Sequence, residues 1–290
     1  MTRPALNFLA LIIILAISGC SGSRMAVRMV SPAIDPMMMS LFAEEDLQVA
    51  QSAMEADIKL LDGLLLMSPR HRDNRLRMAQ LLAGYSLLFA EPEDPARAVR
   101  FYQRSAEAAG LALRDTDLAG LLLTGTRDDF EQIILKLKSS DREALFWWAF
   151  ATGARLSLQL DDPATVVLLP RVESVMRWCV EDEPEYFFGG GLLFLGAVAA
   201  TRPVMLGGDP VLAEEYFART AAINGQQLWL VDLYRARYLC TATWAAERFV
   251  TLLENVIQTD QLPPPEELRL LNSFARQQAA RLLERRHDYF

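Results

Sequence analysis

The sequence predicts an all-α protein in which helical hairpins stack into a compact solenoid. Three observations lead to this fold class. From Met37 onwards, apolar residues recur at three- and four-residue spacing, with few alternating runs. Several helix starts carry explicit capping residues, and one amphipathic helix occurs twice in nearly the same form. Glycine and proline fall mostly between the helical segments.

Composition excludes several other classes of protein. The chain has 290 residues, of which 52% are hydrophobic and 23% are charged, so it is not a disordered chain. Its formal net charge of -8 argues against a nucleic-acid partner, which would require a clustered positive field. Three cysteines are too few for a disulfide scaffold, and two histidines offer little material for metal sites.

The first residues resemble a lipoprotein signal. Arg3 precedes an apolar stretch, Leu6 to Ile17, that is too short to span a bilayer. Ser18-Gly19-Cys20 follows, and the pattern resembles the lipobox of bacterial lipoproteins, whose cysteine takes a diacylglycerol. The alternative is an ordinary secretory signal in which Cys20 is incidental.

The lipobox interpretation divides the chain into three parts. We expect a signal peptide over residues 1–19, a lipidated tether over 20–36 and a helical domain over 37–290. Acyl chains on Cys20 would anchor the protein to a membrane. Ser21, as a residue other than Asp after the cysteine, implies by the lipoprotein sorting rule the outer membrane, facing the periplasm.

Eleven helices are predicted in the helical domain. In chain order they are Leu41–Leu66, Asn74–Ala90, Pro95–Ala109, Asp128–Lys138, Arg142–Leu160, Ala164–Val180, Pro184–Thr201, Pro210–Ile223, Leu228–Leu239, Trp244–Ile257 and Pro265–Arg286. Three of them begin with an Asp-Pro pair, at Asp94, Asp162 and Asp209. The carboxylate can accept free amide hydrogens, and proline lacks one at the first helical position. Ser140 and Glu143 are spaced as a capping box.

Two of these helices are nearly the same. Asp94–Gly110 matches Asp209–Gly225 at an offset of 115 residues, including the cap, a small alanine, an aromatic pair and the final glycine. The spacing resembles the second helix of tetratricopeptide repeats, with Asn74–Ala90 and Pro184–Thr201 as the first helices of the two hairpins. The alternative is a chance similarity of two amphipathic helices.

Residues that could carry catalysis are scarce. His71 and His287 have no partner at metal-ligand spacing, and no nucleophile motif or phosphate-binding loop is present. We therefore expect neither an enzyme nor a cofactor. Cys179 and Cys240 could form a disulfide in an oxidising compartment, but separately buried thiols are the preferred interpretation.

Aromatic and glycine-rich segments offer the best candidates for a binding site. Tyr186–Thr201 is free of charge and contains four glycines, which suggests that another backbone or a ligand comes close. Both this segment and the Trp147-Trp148 pair suit core packing or the lining of an apolar cavity. The residues proposed to border a cavity are Trp147, Trp148, Tyr186, Phe187 and Tyr234.

An ordered series of weak motifs resembles a known family. Its members are Tyr186-Phe187-Phe188-Gly189, Pro203, Leu206-Gly207-Gly208-Asp209, Ala213, Phe217, Ala221, Tyr234, Phe249, Leu253, Val256, Asn272, Ala275, Ala279-Ala280-Arg281-Leu282-Leu283 and Asp288-Tyr289-Phe290. This order and spacing resemble the T component of tripartite ATP-independent periplasmic (TRAP) transporters, the TatT type of helical-repeat lipoprotein. The sequence departs from that pattern at Arg235, which leaves the packing of its helix open.

The resemblance implies a transport accessory. Proteins of this type are tetratricopeptide-like, associate with an extracytoplasmic solute-binding protein and form trimers with a channel or cavity in each protomer. The implied ligand is small and at least partly apolar, and separate membrane subunits use ion gradients to drive uptake. The alternative is a repeat lipoprotein that acts as an envelope scaffold for another complex.

Overall fold

Helices form nearly all the regular structure in the computed structural model, which describes residues 25, 27, 29–115, 118, 120, 122, 133–160, 163–258 and 264–290. No strand occurs among these residues, so the predicted all-α class is confirmed. The main helices are α1 (Ile34–Phe42), α2 (Leu47–Met67), α3 (Arg72–Tyr85), α4 (Pro95–Gly110), α5 (Arg142–Ser157), α6 (Pro163–Asp182), α7 (Tyr186–Thr201), α8 (Pro210–Ile223), α9 (Leu230–Tyr234), α10 (Ala246–Gln258) and α11 (Arg269–Glu284).

Helices that follow each other in sequence pack against each other. The pairs α2–α3, α4–α5, α5–α6 and α10–α11 are all in contact, as are α3–α4 and α7–α8. The last helix, α11, returns to contact α1 and α2 near the start of the chain. Apolar side chains from helices along the whole described chain join in one buried core. This packing is compatible with the predicted solenoid of hairpins.

The duplicated helix occupies equivalent positions in two helix pairs. α4 packs on α3, and α8 packs on α7, as the repeat predicts. The matched alanines, Ala98 and Ala213, are fully buried, and so are the matched aromatics, Tyr102 and Phe217. A small residue beside a large ring lets each helix approach its partner closely while the ring fills the space between them.

Two of the three predicted Asp-Pro caps can be compared with the structure, and both are confirmed. The Asp94 carboxylate accepts a hydrogen bond from the amide of Arg97 at 2.9 Å, and that of Asp209 accepts from Val211 and Leu212 at 2.9 and 3.0 Å. Asp162 lies outside the described residues. Each cap satisfies amide hydrogens that have no partner inside the helix.

The capping box predicted at Ser140 is wrong. Ser139–Asp141 forms a 3₁₀ turn, and no side chain caps the start of α5. Asp141 instead accepts a hydrogen bond from the amide of Arg114 at 3.0 Å, and Glu143 pairs with Arg77. An ion pair with Arg77 of α3 thus takes the Glu143 side chain that the local pattern assigned to the cap.

The structure also corrects the start of the helical region. Cys20 and the rest of residues 1–24 lie outside the described part of the chain, so the predicted signal peptide and lipidation stay predictions. Residues 31–36, at the end of the predicted tether, are already helical, because Ser31–Ala33 is a 3₁₀ turn and α1 begins at Ile34. The predicted helix Leu41–Leu66 is in fact divided, and Asp46 caps the second part.

Three other predicted helix ends differ from the structure. The helix predicted over Asp128–Lys138 lies largely outside the described residues, and its end at 135–138 is not helical. The helices predicted to end at Ala90 and Leu239 both change into π-helical turns, Ser86–Ala90 after α3 and Arg235–Cys240 after α9. Such wider turns are frequent at functional sites.

Candidate functional site

A left-handed turn opens α7. Phe187, Phe188 and Gly189 have φ of 49°, 59° and 74°, whereas an α-helix of L-residues needs negative φ. Left-handed backbone costs a non-glycine residue about 1–3 kcal/mol, and it persists only where the surroundings impose it. Here Asn224 supports the turn, because its side-chain Nδ2 donates to the Phe188 carbonyl at 2.8 Å.

The turn places its two phenylalanine rings in an aromatic cluster, formed by Phe42, Phe146, Trp147, Phe150, Tyr186, Phe187, Phe188 and Phe194. The Phe187 ring lies 4.6 Å from that of Trp147, in an edge-to-face arrangement. The Trp147 indole donates to the Tyr186 hydroxyl at 3.1 Å. Phe42, the last residue of α1, packs edge-on against both Phe187 and Phe188, at 5.7 and 5.8 Å. The cluster therefore joins α1, α5 and α7.

A charged network borders the aromatic cluster. Arg77 on α3 pairs with Asp35 of α1 at 2.6 Å and with Glu143 of α5 at 3.3 Å. Burial alone would lower the pKa of Arg77, but its hydrogen bond to Asp35 and the two carboxylates hold it above the ordinary value. Burial, together with the charge of Glu143, raises the pKa of the Tyr186 hydroxyl.

Glycines in α7 bring neighbouring helices close, as the sequence suggested. A Cβ on Gly191 would lie 2.4 Å from Val180 of α6, and one on Gly196 would lie 2.7 Å from the Phe217 ring of α8. These approaches leave no room for a larger residue. Side chains of the packed helices therefore explain these two glycines without a ligand.

The structure brings together three of the five predicted cavity residues. Trp147, Tyr186 and Phe187 belong to the aromatic cluster, and Trp148 is fully buried beside them on α5. Tyr234 lies apart, where its ring contacts Tyr238 at 5.1 Å. The five rings do not form one group, and a cavity lined by them stays a prediction.

Tyr234 belongs to a second cluster, which connects distant parts of the chain. Burial raises the pKa of Tyr102, Tyr234 and Tyr238, and the carboxylate of Glu91 acts in the same direction on all three. Glu91 accepts a hydrogen bond from the Tyr102 hydroxyl at 3.0 Å and pairs with Arg237 at 3.5 Å. Glu91 follows the first π-helical turn, and Arg237 lies within the second.

Arg235, the departure from the family pattern, lies at the start of the second π-helical turn. It pairs with Asp232 at 2.9 Å and with Glu214 of α8 at 3.1 Å. The wider turn and these two carboxylates accommodate a mostly buried guanidinium beside the core. The departure from the family pattern at Arg235 is therefore compatible with close packing of this helix against α8.

The arrangement offers apolar and aromatic contacts and a few hydrogen bonds. Among the described residues, no group of three or more His, Cys, Asp or Glu side chains could hold a metal ion. His71 caps α3, accepting a hydrogen bond from the amide of Asn74 at 3.3 Å. Cys179 and Cys240 are both free and buried, so the preferred interpretation of separate thiols is confirmed. In the described part of the chain, no helix combines the length and apolarity needed to cross a bilayer.

Sequence reasoning missed several members of these clusters. Phe146 and Phe188 adjoin predicted residues in the runs Phe146-Trp147-Trp148 and Tyr186-Phe187-Phe188, so their proximity was a usable signal. Phe42, Asn224 and Glu91 gave no local signal, because each reaches its partner from a distant part of the chain.

Paired helices, an aromatic core and a strained turn define this chain as an all-α protein of stacked helix pairs. Comparison with known families gives a more particular result. Residues 43–290 match the family described as TRAP transporter T-component. The chain therefore belongs to that family, which confirms the resemblance seen in the sequence, and the family is one of transport accessories. No curated protein matches the chain.

Proposed function

We propose that this chain is a lipid-anchored accessory of a TRAP transporter, attached to the outer membrane and facing the periplasm. It binds the extracytoplasmic solute-binding protein of the transporter and a small, partly apolar ligand. Membership of the T-component family is the observation that carries the proposal. The lipobox-like sequence before Cys20 supports the anchor and its location.

Binding of the solute-binding protein is testable with purified components. A TRAP-type solute-binding protein from the same organism is titrated into the unacylated Cys20→Ser form in a calorimeter. We expect saturable binding, with a solute-binding protein from an unrelated transporter as the negative control. Heat no greater than that control would contradict the proposed partner.

Anchoring is tested separately in cells. Cells that express the wild-type chain or the Cys20→Ser variant are labelled with a radioactive fatty acid and then fractionated. We expect label on the wild type in the outer membrane, and an unlabelled, released or mislocalised variant. Label on the variant would show that another residue is acylated and that Cys20 is incidental.

The ligand part of the proposal centres on the aromatic cluster. Phe187 and Phe188 are only half-buried, although both lie in strained backbone and Phe187 packs against the buried Trp147. Strain of this kind is typical of ligand-binding positions. Native mass spectrometry of the protein released gently from its own envelope should show a bound small molecule. A measured mass equal to that of the acylated protein alone would remove the ligand from the proposal. If the solute-binding protein still binds, the partner would remain part of it.

A further inference from the structure

The connection between α7 and α8 exposes an apolar tip, defined by Val204, Met205, Leu206 and Val211. Their side chains are 72%, 96%, 71% and 71% exposed, respectively. Single exposed apolar residues are ordinary on protein surfaces, but three consecutive ones followed by a fourth are not. The tip is therefore a candidate contact surface.

The backbone holds this tip in a fixed shape. Val204–Leu206 forms a 3₁₀ turn that ends at Gly207, whose φ of 90° suits glycine. A Cβ on Gly208 would lie 1.7 Å from the carbonyl oxygen of Arg202, so only glycine allows this approach. Amides of Leu206 and Gly208 both donate to the Pro203 carbonyl, at 2.8 and 3.1 Å. A loop built this tightly loses little entropy when it binds a partner.

Charged neighbours of the tip are engaged within the chain. Arg202 pairs with Glu173 of α6, and Asp209 caps α8. The amide of Asp209 also donates to the carbonyl of Ala199 at 3.0 Å, which ties the end of the loop back to α7. The tip consequently offers apolar contact without a charge of its own, and it fits a partner with an apolar depression.

The area of the tip indicates the kind of complex. Its four side chains expose roughly 500 Å² together, comparable to the largest apolar patch of a typical monomer, which is often functional. A stable interface buries about 800 Å² on each partner. A patch below that size suits a partner that binds and leaves, and it is too small to hold two copies of this chain together alone.

We infer that the apolar tip is the docking surface for the solute-binding protein. This inference rests on the proposed function, in which that protein is the partner. A solute carrier must associate and dissociate repeatedly, which agrees with a small, rigid, apolar contact. Met205, which is 96% exposed, is the side chain that fills the partner's depression, together with Leu206, the larger of its two exposed neighbours in the turn.

The test compares two double variants in the same binding assay. Met205→Ser/Leu206→Ser alters the tip, and Leu66→Ser/Leu111→Ser alters apolar residues that are 84% and 64% exposed elsewhere. Neither pair contributes to the core, so both variants should unfold at the wild-type temperature. We expect the dissociation constant for the purified solute-binding protein to rise at least tenfold for the tip variant and to stay within twofold for the control.

The outcomes separate this inference from the proposed function. If the wild type binds and the tip variant binds equally well, the inference is wrong and the proposed function stands. If the wild type does not bind, both are wrong. Sedimentation analysis of each variant alone adds a further outcome. A loss of self-association confined to the tip variant would assign the tip to a second copy of this chain and overturn the inference.

Discussion

Gly196 of α7 gives the sharpest prediction for the duplicated helix pairs. A Cβ at this position would lie 2.7, 2.9 and 3.1 Å from three carbons of the Phe217 ring, whereas ordinary carbon contacts are about 3.5–4.0 Å. Phe217 is fully buried, so its ring has no open space to enter. We expect Gly196→Ala to destabilise the protein because α7 and α8 must move apart.

The magnitude follows from two opposing effects. Overpacking a buried site costs about 1–3 kcal/mol, while alanine gains about 1 kcal/mol over glycine inside a helix. The net expectation is a loss of about 1 kcal/mol. Gly63 of α2 is the matched control, because nothing lies within 4 Å of a Cβ built there. Gly63→Ala should therefore stabilise the protein by up to about 1 kcal/mol.

Circular dichroism during thermal and urea unfolding measures both variants. A difference of about 2 kcal/mol corresponds to roughly 4–8 °C in Tm for a domain of this size. In a Phe217→Leu background, which provides space, Gly196→Ala should cost less than in the wild type. Equal stabilisation by Gly196→Ala and Gly63→Ala would refute the close approach of α7 and α8.

Three further predictions follow from buried polar groups and caps. Asn272→Leu removes hydrogen bonds to the amide of Trp229 and the carbonyl of Gln227 and should cost about 2–3 kcal/mol in urea unfolding. Asp94→Ala and Asp209→Ala should each cost about 1 kcal/mol, and equal Tm values for wild type and variants would remove their role as caps. Burial raises the pKa of the Cys179 thiol to about 12, so iodoacetamide at pH 9 should alkylate it only after unfolding, as peptide mass spectrometry would show. Because an unfolded thiol ionises near pH 8.5, this group's contribution to stability should be complete below that pH and be lost as the pH rises towards 12.

Features that depend on nearby residues were predictable from the sequence. Asp94-Pro95 and Asp209-Pro210 specify helix starts through side-chain chemistry within three residues, and both are caps in the structure. The packing of the duplicated helix was also predictable from its residue pattern. Ala98 and Ala213 are both buried, as the spacing predicts. The capping box predicted at Ser140 is wrong because a contact between distant residues prevails over the local pattern. Glu143 forms an ion pair with Arg77 and does not take part in a cap.

Features of the candidate site depended on contacts between distant residues. The left-handed backbone at Phe187 and Phe188 is unfavourable locally, and support from Asn224 becomes visible only in the fold. Tyr234 was grouped with Trp147 on aromatic character alone. Its actual neighbours surround the ion pair between Glu91 and Arg237, two residues that are 146 positions apart in the sequence.

Association with a transporter in the native envelope tests the central claim most directly. The acylated wild-type chain, carrying a C-terminal affinity tag, is purified from detergent-solubilised envelope, and co-purifying proteins are identified by quantitative mass spectrometry against an untagged strain. We predict enrichment of a TRAP-type solute-binding protein. Enrichment of an unrelated assembly complex, with that solute-binding protein at background, would contradict a transport accessory and support an envelope scaffold.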